Sequence, residues 1–465
     1  MDLFGTAGIR GPVRDRVTPG LALSVGQALG SYIRDVETDV VPTVVLGWDG
    51  RETSESLVAA VESGVTSAGV DVLRVGELPT PALAFCSQGR YGVMITASHN
   101  PPTDNGIKLF EDGEEFDSGA EGEIERLVTE TGEPAAWNEF GTSGLADELG
   151  TYRDRIAEYA VETLGVDNDE PLTGVSVVVD CGNGVASLAT PQVLRALGAH
   201  VVTLNANVDG TFPGRESKPT PETLTDLRTF IRDGEFDMGI GHDGDGDRIV
   251  IVGPGGDVVH EDTILAVLAR HYVADSESED PVVVTTPNAS ARIDEVVREE
   301  RGRTERVRLG ALHEGIARER DAGTGETDVV FAAEPWKHIH TALGGWIDGV
   351  ASAAVLTGLV ASAGDVATLV EPITERPYRK ISVPCPDAAK TPAMERIGRE
   401  LPDQFPDGDV STEYGVRIEL PDASWVLVRP SGTEEYVRFY AESDDIDRIV
   451  ETTRAVVADA IEASR

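Results

Sequence analysis

Two short runs hold the residues of this chain best suited to chemistry: Thr96-Ala-Ser-His-Asn-Pro101 and Asp243-Gly-Asp-Gly-Asp-Arg248. Val93 to Thr96 is apolar and β-branched and reads as a buried strand. Small and polar residues follow, and Pro101 and Pro102 end regular structure because neither donates a backbone N–H. Ser98 therefore falls on a loop just past a strand, where α/β proteins place reacting groups. In the second run three carboxylates, Asp243, Asp245 and Asp247, alternate with glycines. Glycine lets such a loop fold tightly enough for all three to converge on one hard cation, and Mg2+ is the expected one. An EF-hand is excluded: counted from Asp243, the positions that need Gly and Glu hold Arg248 and Pro254. A solvated acidic turn is the other reading, and regular spacing between apolar segments argues for the metal.

In this order and at this separation the two runs resemble the α-D-phosphohexomutase superfamily, which includes phosphoglucomutases, phosphomannomutases and phosphoglucosamine mutases. The resemblance extends over nearly the whole chain. It implies an α/β fold of three related domains with mixed sheets, plus a smaller α+β C-terminal domain, around a central cleft. It also implies phosphoryl transfer between C1 and C6 of a hexose phosphate through a phosphoserine at Ser98 and a bisphosphorylated sugar, the reaction of phosphoglucomutases and phosphomannomutases. Mg2+ would sit among Ser98, Asp243, Asp245 and Asp247, with the bisphosphorylated sugar as activator. Arg10, Arg248 and Lys108 become candidates for stabilising charge, and Lys108 or His99 for moving the hydroxyl proton. Phosphoglucosamine mutase and phosphopentomutase are alternatives within the resemblance. A phosphoserine-dependent sugar phosphatase and a non-catalytic phosphosugar binder lie further away.

Three more stretches gain meaning from that frame. Phe4-Gly-Thr-Ala-Gly-Ile-Arg-Gly11 reads as a glycine-rich loop bringing Arg10 to a phosphate. Glu334-Pro-Trp-Lys-His-Ile-His340 corresponds to the superfamily's sugar-gripping loop. Glu334 matches its glutamate, Trp336 and Lys337 stand where a serine and glycine are usual, and His338 is the candidate histidine, with His340 competing. The departure leaves the sugar open. Arg429-Pro-Ser-Gly-Thr-Glu434 offers hydroxyls, backbone N–H groups and a guanidinium as an oxyanion cradle, with Arg429, Ser431, Gly432 and Thr433 as its residues. Glu435 replaces the superfamily's usual proline.

Composition bounds the partners. A net charge of −43 excludes nucleic acid and disfavours anionic membranes. No apolar run reaches the roughly 18 residues of a membrane span, and Met1-Asp2-Leu3 opens no signal-peptide pattern. Cys86, Cys181 and Cys385 are isolated, which points to a reducing, cytoplasmic setting. Acid spread along the whole chain suits a solvated shell in concentrated salt, the setting of a halophile. A small phosphosugar is the expected partner. Only Lys108, Lys218, Lys337, Lys380 and Lys390 are lysines. The first three lie in loops assigned to the site on other grounds, and are expected to touch phosphate or sugar.

The elements that must position these residues alternate strand and helix, which implies a mostly parallel sheet. Helices are expected over Pro19–Val36, Ser54–Ala68 and Thr151–Leu164, and strands over Thr43–Gly47, Val70–Val75 and Val175–Val179. Lys108 is expected beyond an Asn105-Gly106 turn, and 119–150 reads as a polar, glycine-dotted connection. Strand, loop and helix recur after Trp48, Asp180 and Thr286. Domains are placed at 1–150 (phosphoserine loop), 151–253 (metal loop), 254–370 (sugar loop) and 371–465 (phosphate loop).

Overall fold

Val44–Trp48, Tyr91–Ile95, Ser176–Asp180 and Met238–His242 are short, mostly apolar and almost wholly buried, the pattern of strands covered on both faces. The structure, a computed structural model, describes residues 3–5, 8–36, 43–130, 132–431 and 435–464. The chain gathers into two compact units, Met1–Glu261 with Trp336–Val370, and Asp262–Pro335 with Glu371–Arg465.

In the first unit, Val44–Trp48 pairs in parallel with Val72–Glu77 on one side and Tyr91–Ile95 on the other. Asp104–Glu111 then returns antiparallel along Tyr91–Ile95. A second sheet repeats this plan. Ser176–Asp180 lies in parallel between His200–Leu204 and Met238–His242, and Ile249–Val252 returns antiparallel. The second unit starts the same way, with Asp280–Thr285 in parallel between Arg303–Arg306 and Thr327–Glu334. Three stretches of unlike sequence thus share the strand order second, first, third. The repeat, faint in sequence, is plain in topology.

That repeat also positions the site. Ser98, the Asp243–Arg248 run and Trp336 all follow the third parallel strand of their repeats, so one topological position supplies all three loops. Each loop turns through a left-handed residue: Ser98 at φ 51°, Gly246 at φ 73° and Trp336 at φ 68°. Non-glycine residues in that region are strained and concentrate at functional sites.

Helices cover the first sheet. Pro19–Val36 and Ser54–Ser67 cross where glycine permits, since a Cβ on Gly26 would stand 2.3 Å from the Val61 carbonyl oxygen. Gly349–Ala363 is buried along most of its length and opens on Asp348, whose carboxylate accepts from Val350 N and Ala351 N. A Cβ on Gly349 would lie 2.7 Å from the Gly246 carbonyl, so this helix starts against the aspartate loop.

The C-terminal sheet is antiparallel, in the order Tyr378–Pro384, Tyr436–Glu442, Trp425–Pro430, Val416–Glu419, Asp409–Ser411. Helices Asp387–Glu400 and Ile446–Glu462 pack on it around Ile397, Phe439 and Val457.

Three expectations need correcting, and a fourth element goes unforeseen in the sequence. Asn105-Gly106 is no turn but part of the strand Asp104–Glu111, so Lys108 rides on a continuous strand. Arg10 lies on a strand, Ile9–Pro12, paired with Asp104–Ile107, rather than on a loop. Ser118–Glu130 forms a helix inside the stretch that reads as a connection, because Ile124 and its apolar neighbours anchor it to the first core. Tyr436–Glu442 is a central strand whose alternating buried residues are obscured by the loop-like composition of 429–438.

Candidate active site

Asp49 and Arg51, at the end of the first strand, build the Ser98 loop. Their side chains form a buried ion pair at 3.0 Å. Arg51 then spends its remaining donors on four carbonyls of the loop: Ser98 at 2.9 Å, Asn100 at 2.8 Å, Pro101 at 2.7 Å and Asp104 at 2.8 Å. Thr96 Oγ1 donates to Asp49 Oδ2 at 2.7 Å and accepts from Ser98 N at 2.9 Å. One guanidinium and one carboxylate thereby fix the strained backbone at Ser98. Neither has a role in the sequence reading. The signal available there is an acid and a base directly after an apolar strand, in Trp48-Asp-Gly-Arg51.

Ser98 Oγ donates to Asp243 Oδ2 at 2.8 Å and lies 3.3 Å from His99 Nδ1. Asp243, Asp245 and Asp247 are all buried, and one oxygen of each falls within 4.8 Å of the others. Thr80, a third residue missed in sequence, donates its hydroxyl to Asp245 Oδ2 at 2.7 Å. Asp245 Oδ1 and Asp247 Oδ1 are buried and accept no hydrogen bond. Burial, with Asp247 and Asp245 alongside, pushes the Asp243 carboxyl up to about 8. Buried acceptors without donors, on three carboxylates within 4.8 Å of one another, fit a hard divalent cation with oxygen ligands.

Cations surround the trio. Lys108 Nζ, fully buried, reaches Asp247 at 3.1 Å, Asp245 at 3.4 Å and Glu115 at 3.5 Å. Burial opposes its charge, but Asp247, Asp245 and Glu115 outweigh that and raise its pKa, so it stays an ammonium. Arg248 Nε lies 3.7 Å from Asp243 and 3.9 Å from Asp247, and Lys337 Nζ 4.0 Å from Asp247. Burial alone would raise Asp247; Lys108, Lys337, Arg248 and Arg10 together hold it well below the usual carboxylate range. Arg10 keeps Nε and Nη2 buried with no hydrogen-bond acceptor, as a guanidinium facing an anion's place would. Burial, then the charges of Arg248 and Arg10, lower His99 to about 2, so its imidazole is neutral.

Further along, Lys218 Nζ sits over the Trp336 ring, 5.9 Å from its centroid. His338 and His340 are both buried on one hydroxyl: Ser352 Oγ lies 3.0 Å from His338 Nδ1 and 2.8 Å from His340 Nε2. The ring of His340 also packs edge-on against Tyr159. The second unit holds Glu334, at the end of Thr327–Glu334, along with Arg429 and Ser431. Arg429 Nη2 donates to Tyr440 Oη at 3.1 Å, its Nε is buried without an acceptor, and Lys390 Nζ donates to the Ser431 carbonyl at 2.7 Å. Gly432 and Thr433 lie outside the described residues.

Repeated α/β sheets that bring a strained serine against three aspartates and a ring of cations define an enzyme of phosphoryl transfer. Residues 1–135 match the family description "Phosphoglucomutase/phosphomannomutase, alpha/beta/alpha domain I", residues 151–256 its domain II and residues 381–460 its C-terminal domain. The phosphopentomutase of Thermococcus kodakarensis is 38% identical over 449 residues, 95% of this chain and 94% of that one. A Methanopyrus kandleri protein named "Probable phosphoglucosamine mutase" is 40% identical over 455 residues, 96% of this chain and 94% of that one. A solved phosphoglucomutase/phosphomannomutase family protein from Burkholderia thailandensis superposes with a TM-score of 0.84 at 26% identity, covering 98% and 97% of the two chains. The chain belongs to the phosphoglucomutase/phosphomannomutase family of the α-D-phosphohexomutase superfamily, and is an intramolecular phosphotransferase.

Proposed function

We propose that this enzyme moves a phosphoryl group between the anomeric and the primary hydroxyl of an aldose phosphate, with Ser98 Oγ as the resting place of that group. The 2.8 Å contact between Ser98 Oγ and Asp243 carries the reading, because it puts a hydroxyl beside a ready cation site. Bound there by Asp243, Asp245 and Asp247, Mg2+ would offset the negative charge that phosphoryl transfer concentrates. The chain supplies the rest. The P–O bond to Ser98 breaks as a sugar hydroxyl attacks phosphorus, and the proton that hydroxyl loses is balanced by the one the departing Ser98 Oγ gains. The resulting bisphosphorylated sugar turns over, and Ser98 Oγ takes the other phosphoryl group back. Lys108 keeps a proton on Nζ beside the aspartates and is the group suited to protonate a departing oxygen. Arg10, with two buried donors unused, suits a phosphate oxygen. Arg429 and Ser431 would bind the phosphate that is not reacting, and Glu334 with Lys337 the sugar.

For the sugar itself, relatives named phosphopentomutase and "Probable phosphoglucosamine mutase" make pentose and glucosamine phosphates the first to assay. Glucose and mannose phosphates complete the panel, in high salt with Mg2+. Intact mass should show one added phosphate on the purified protein and none on Ser98→Ala. Free phosphate released from the 1-phosphates without any 6-phosphate (or 5-phosphate) would replace the mutase with a phosphatase.

A further inference from the structure

The Ser98 loop and the aspartate loop each rest on a buried acid–guanidinium pair, and the two pairs match in position. Asp49 follows the first strand of the first repeat, and its partner Arg51 bonds the carbonyls of the Ser98 loop. Asp180 ends the first strand of the second repeat. Arg215 Nε meets Asp180 Oδ2 at 3.0 Å, with the two side chains 5% and 1% exposed. Arg215 Nη2 then donates at 2.6 Å to the carbonyl of His242, the residue before Asp243. Arg51 stands 2 residues from its acid and Arg215 stands 35 from its own. The likeness is thus one of geometry that sequence spacing conceals.

The segment that brings Arg215 also reaches the other loop. Ser217, buried, donates its hydroxyl to the Ser98 carbonyl at 3.0 Å, beside the Arg51 donor at 2.9 Å. Phe212 is buried with its backbone in the left-handed region, at φ 50°. Its ring lies against the Arg51 guanidinium, 5.0 Å from Cζ to the centroid. A Cβ on Gly210 would stand 2.4 Å from the Gly50 carbonyl. One on Gly244, between Asp243 and Asp245, would stand 2.7 Å from both the Ser98 carbonyl and Ser217 Oγ. Asn183 ties the segment to the loop after Asp180, since Asp209 N donates to its carbonyl at 2.9 Å and Gly214 N to its Oδ1 at 3.0 Å. Residues 209–217 are therefore anchored beside the second sheet and packed against the braces of the first.

We propose that segment 209–217 is a clamp that sets the spacing between the Ser98 hydroxyl and the aspartate trio, with Arg215 and Ser217 as positioning residues. The inference rests on the reading of Ser98 as the carrier of the phosphoryl group. Both residues act through backbone. Ser217 holds the carbonyl of Ser98 itself, and Arg215 holds the carbonyl that leads into Asp243. Their effects should therefore separate. Loss of the Ser217 hydroxyl frees the serine side of the contact and leaves the aspartates braced. Loss of the Arg215 fork frees the aspartate side, where a cation would feel it. A shift of about 1 Å at a reacting group can cost about 100-fold in rate. Ser98 keeps its Arg51 donor when Ser217 is lost, so a smaller loss is expected there.

Two variants of the full chain, assayed in concentrated KCl, test this. Ser217→Ala should lower kcat about tenfold, with KM, melting temperature and Mg2+ affinity by titration calorimetry all held. Arg215→Lys keeps the charge but lacks the fork that joins Asp180 to the His242 carbonyl. Its Mg2+ affinity, measured without sugar, should fall about 10- to 100-fold, as loss of a group that orients metal ligands does, and kcat should fall with it. Wild-type kcat in Ser217→Ala, wild-type Mg2+ affinity in Arg215→Lys, or losses that merely follow melting temperature would each overturn the clamp and leave the mutase reading standing. A wild type that binds no Mg2+ and carries no phosphate on Ser98 would overturn both.

Discussion

Ser98 Oγ and Asp243 Oδ2 meet at 2.8 Å from positions 145 residues apart, one on the loop after the third parallel strand of the first sheet, the other on the corresponding loop of the second. Equivalence of position explains the meeting. That strand of each sheet is followed by the antiparallel reversal, so its loop is exposed at the sheet's end. Two such ends brought face to face oppose a hydroxyl and three carboxylates.

Asp245 is the carboxylate whose loss should be most informative. Thr80 fixes one of its oxygens and the other is buried without a donor. Asp245→Asn keeps the shape and replaces a ligand charge with an amide. Turnover should fall about 100- to 1,000-fold, the range for removing one electrostatic contributor from a reaction centre. Mg2+ affinity, read by titration calorimetry, should fall with it. Unchanged Mg2+ binding would detach the trio from the metal.

Arg51 should behave as a positioning residue. Its guanidinium bonds Asp49 and four loop carbonyls, and it acts on the reacting hydroxyl through the backbone it holds. Lysine has three donors and no fork, so Arg51→Lys cannot reproduce five contacts. Turnover should drop about 100-fold, as a displacement of roughly 1 Å at a reacting group can cause. Mg2+ affinity should stay within twofold. Loss of metal binding in parallel would make Arg51 a general scaffold residue instead.

Much of the site is legible in the sequence because its chemistry uses unusual residues at short spacing. Three aspartates alternating with glycine between two apolar strands make little physical sense without a cation to hold them together, and Ser98 announces itself by the broken strand around it. What stays hidden depends on partners remote in sequence. Thr80 matters through Asp245, 165 residues away. Asp348 gathers Tyr152 Oη, Trp346 Nε1 and two helix N–H groups, and an Asp-Gly pair in sequence says only that a turn or cap is near. Tyr436–Glu442 is hidden for another reason. Its alternation, Val437, Phe439 and Ala441 inward, starts inside a stretch whose composition reads as a loop.

Acid should weaken the second unit through Asp294. Its carboxylate accepts from Arg306 Nη1 and Nη2, both at 2.8 Å. Burial would raise its pKa, but the Arg306 guanidinium lowers it below the ordinary value. A depressed acid contributes stability that is fully present above its unfolded pKa, about 3.9, and is lost as pH falls through the lower folded value. Asp294→Asn leaves Arg306 without its charge partner and should cost about 3–5 kcal/mol at neutral pH. The gap between wild type and variant, measured by denaturant unfolding in high salt, should close progressively below about pH 4. A gap that is flat down to about pH 2 would remove Asp294 from the account.

Lysine replacements should test why so few lysines are present. Lys108 and Lys337 face Asp247, Lys218 sits over Trp336, Lys390 bonds the Ser431 carbonyl, and Lys380 lies over Tyr440, which also accepts from Arg429. Lys108 and Lys337 thus border the proposed metal site, Lys218 the sugar loop, and Lys390 and Lys380 the residues proposed to hold phosphate. Lys108→Arg keeps the charge but forces a larger planar group into a filled cavity, at a cost of about 1–3 kcal/mol. Its turnover should fall at least 100-fold. Lys390→Met leaves the Ser431 carbonyl without its ammonium, and should raise KM about tenfold with kcat held. Wild-type kinetics in both variants would make the surviving lysines accidental.

Salt should decide whether the acidic surface is an adaptation. Asp and Glu number 82 against 39 Lys and Arg. Many of the ion pairs are exposed, such as Arg126 with Glu123 and Glu130 or Arg448 with Asp445, and such pairs contribute little. Repulsion among the surplus acids acts over roughly 30 Å at 0.01 M salt and about 3 Å at 1 M. Dialysis into dilute buffer should therefore unfold the chain, and melting temperature should climb steadily with KCl. Sucrose separates the causes, because it strengthens apolar burial without screening charge. If screening is what matters, sucrose at equal osmolality should not restore the fold that KCl restores. A chain that stays folded and active in dilute buffer is not adapted to concentrated salt, whatever its composition.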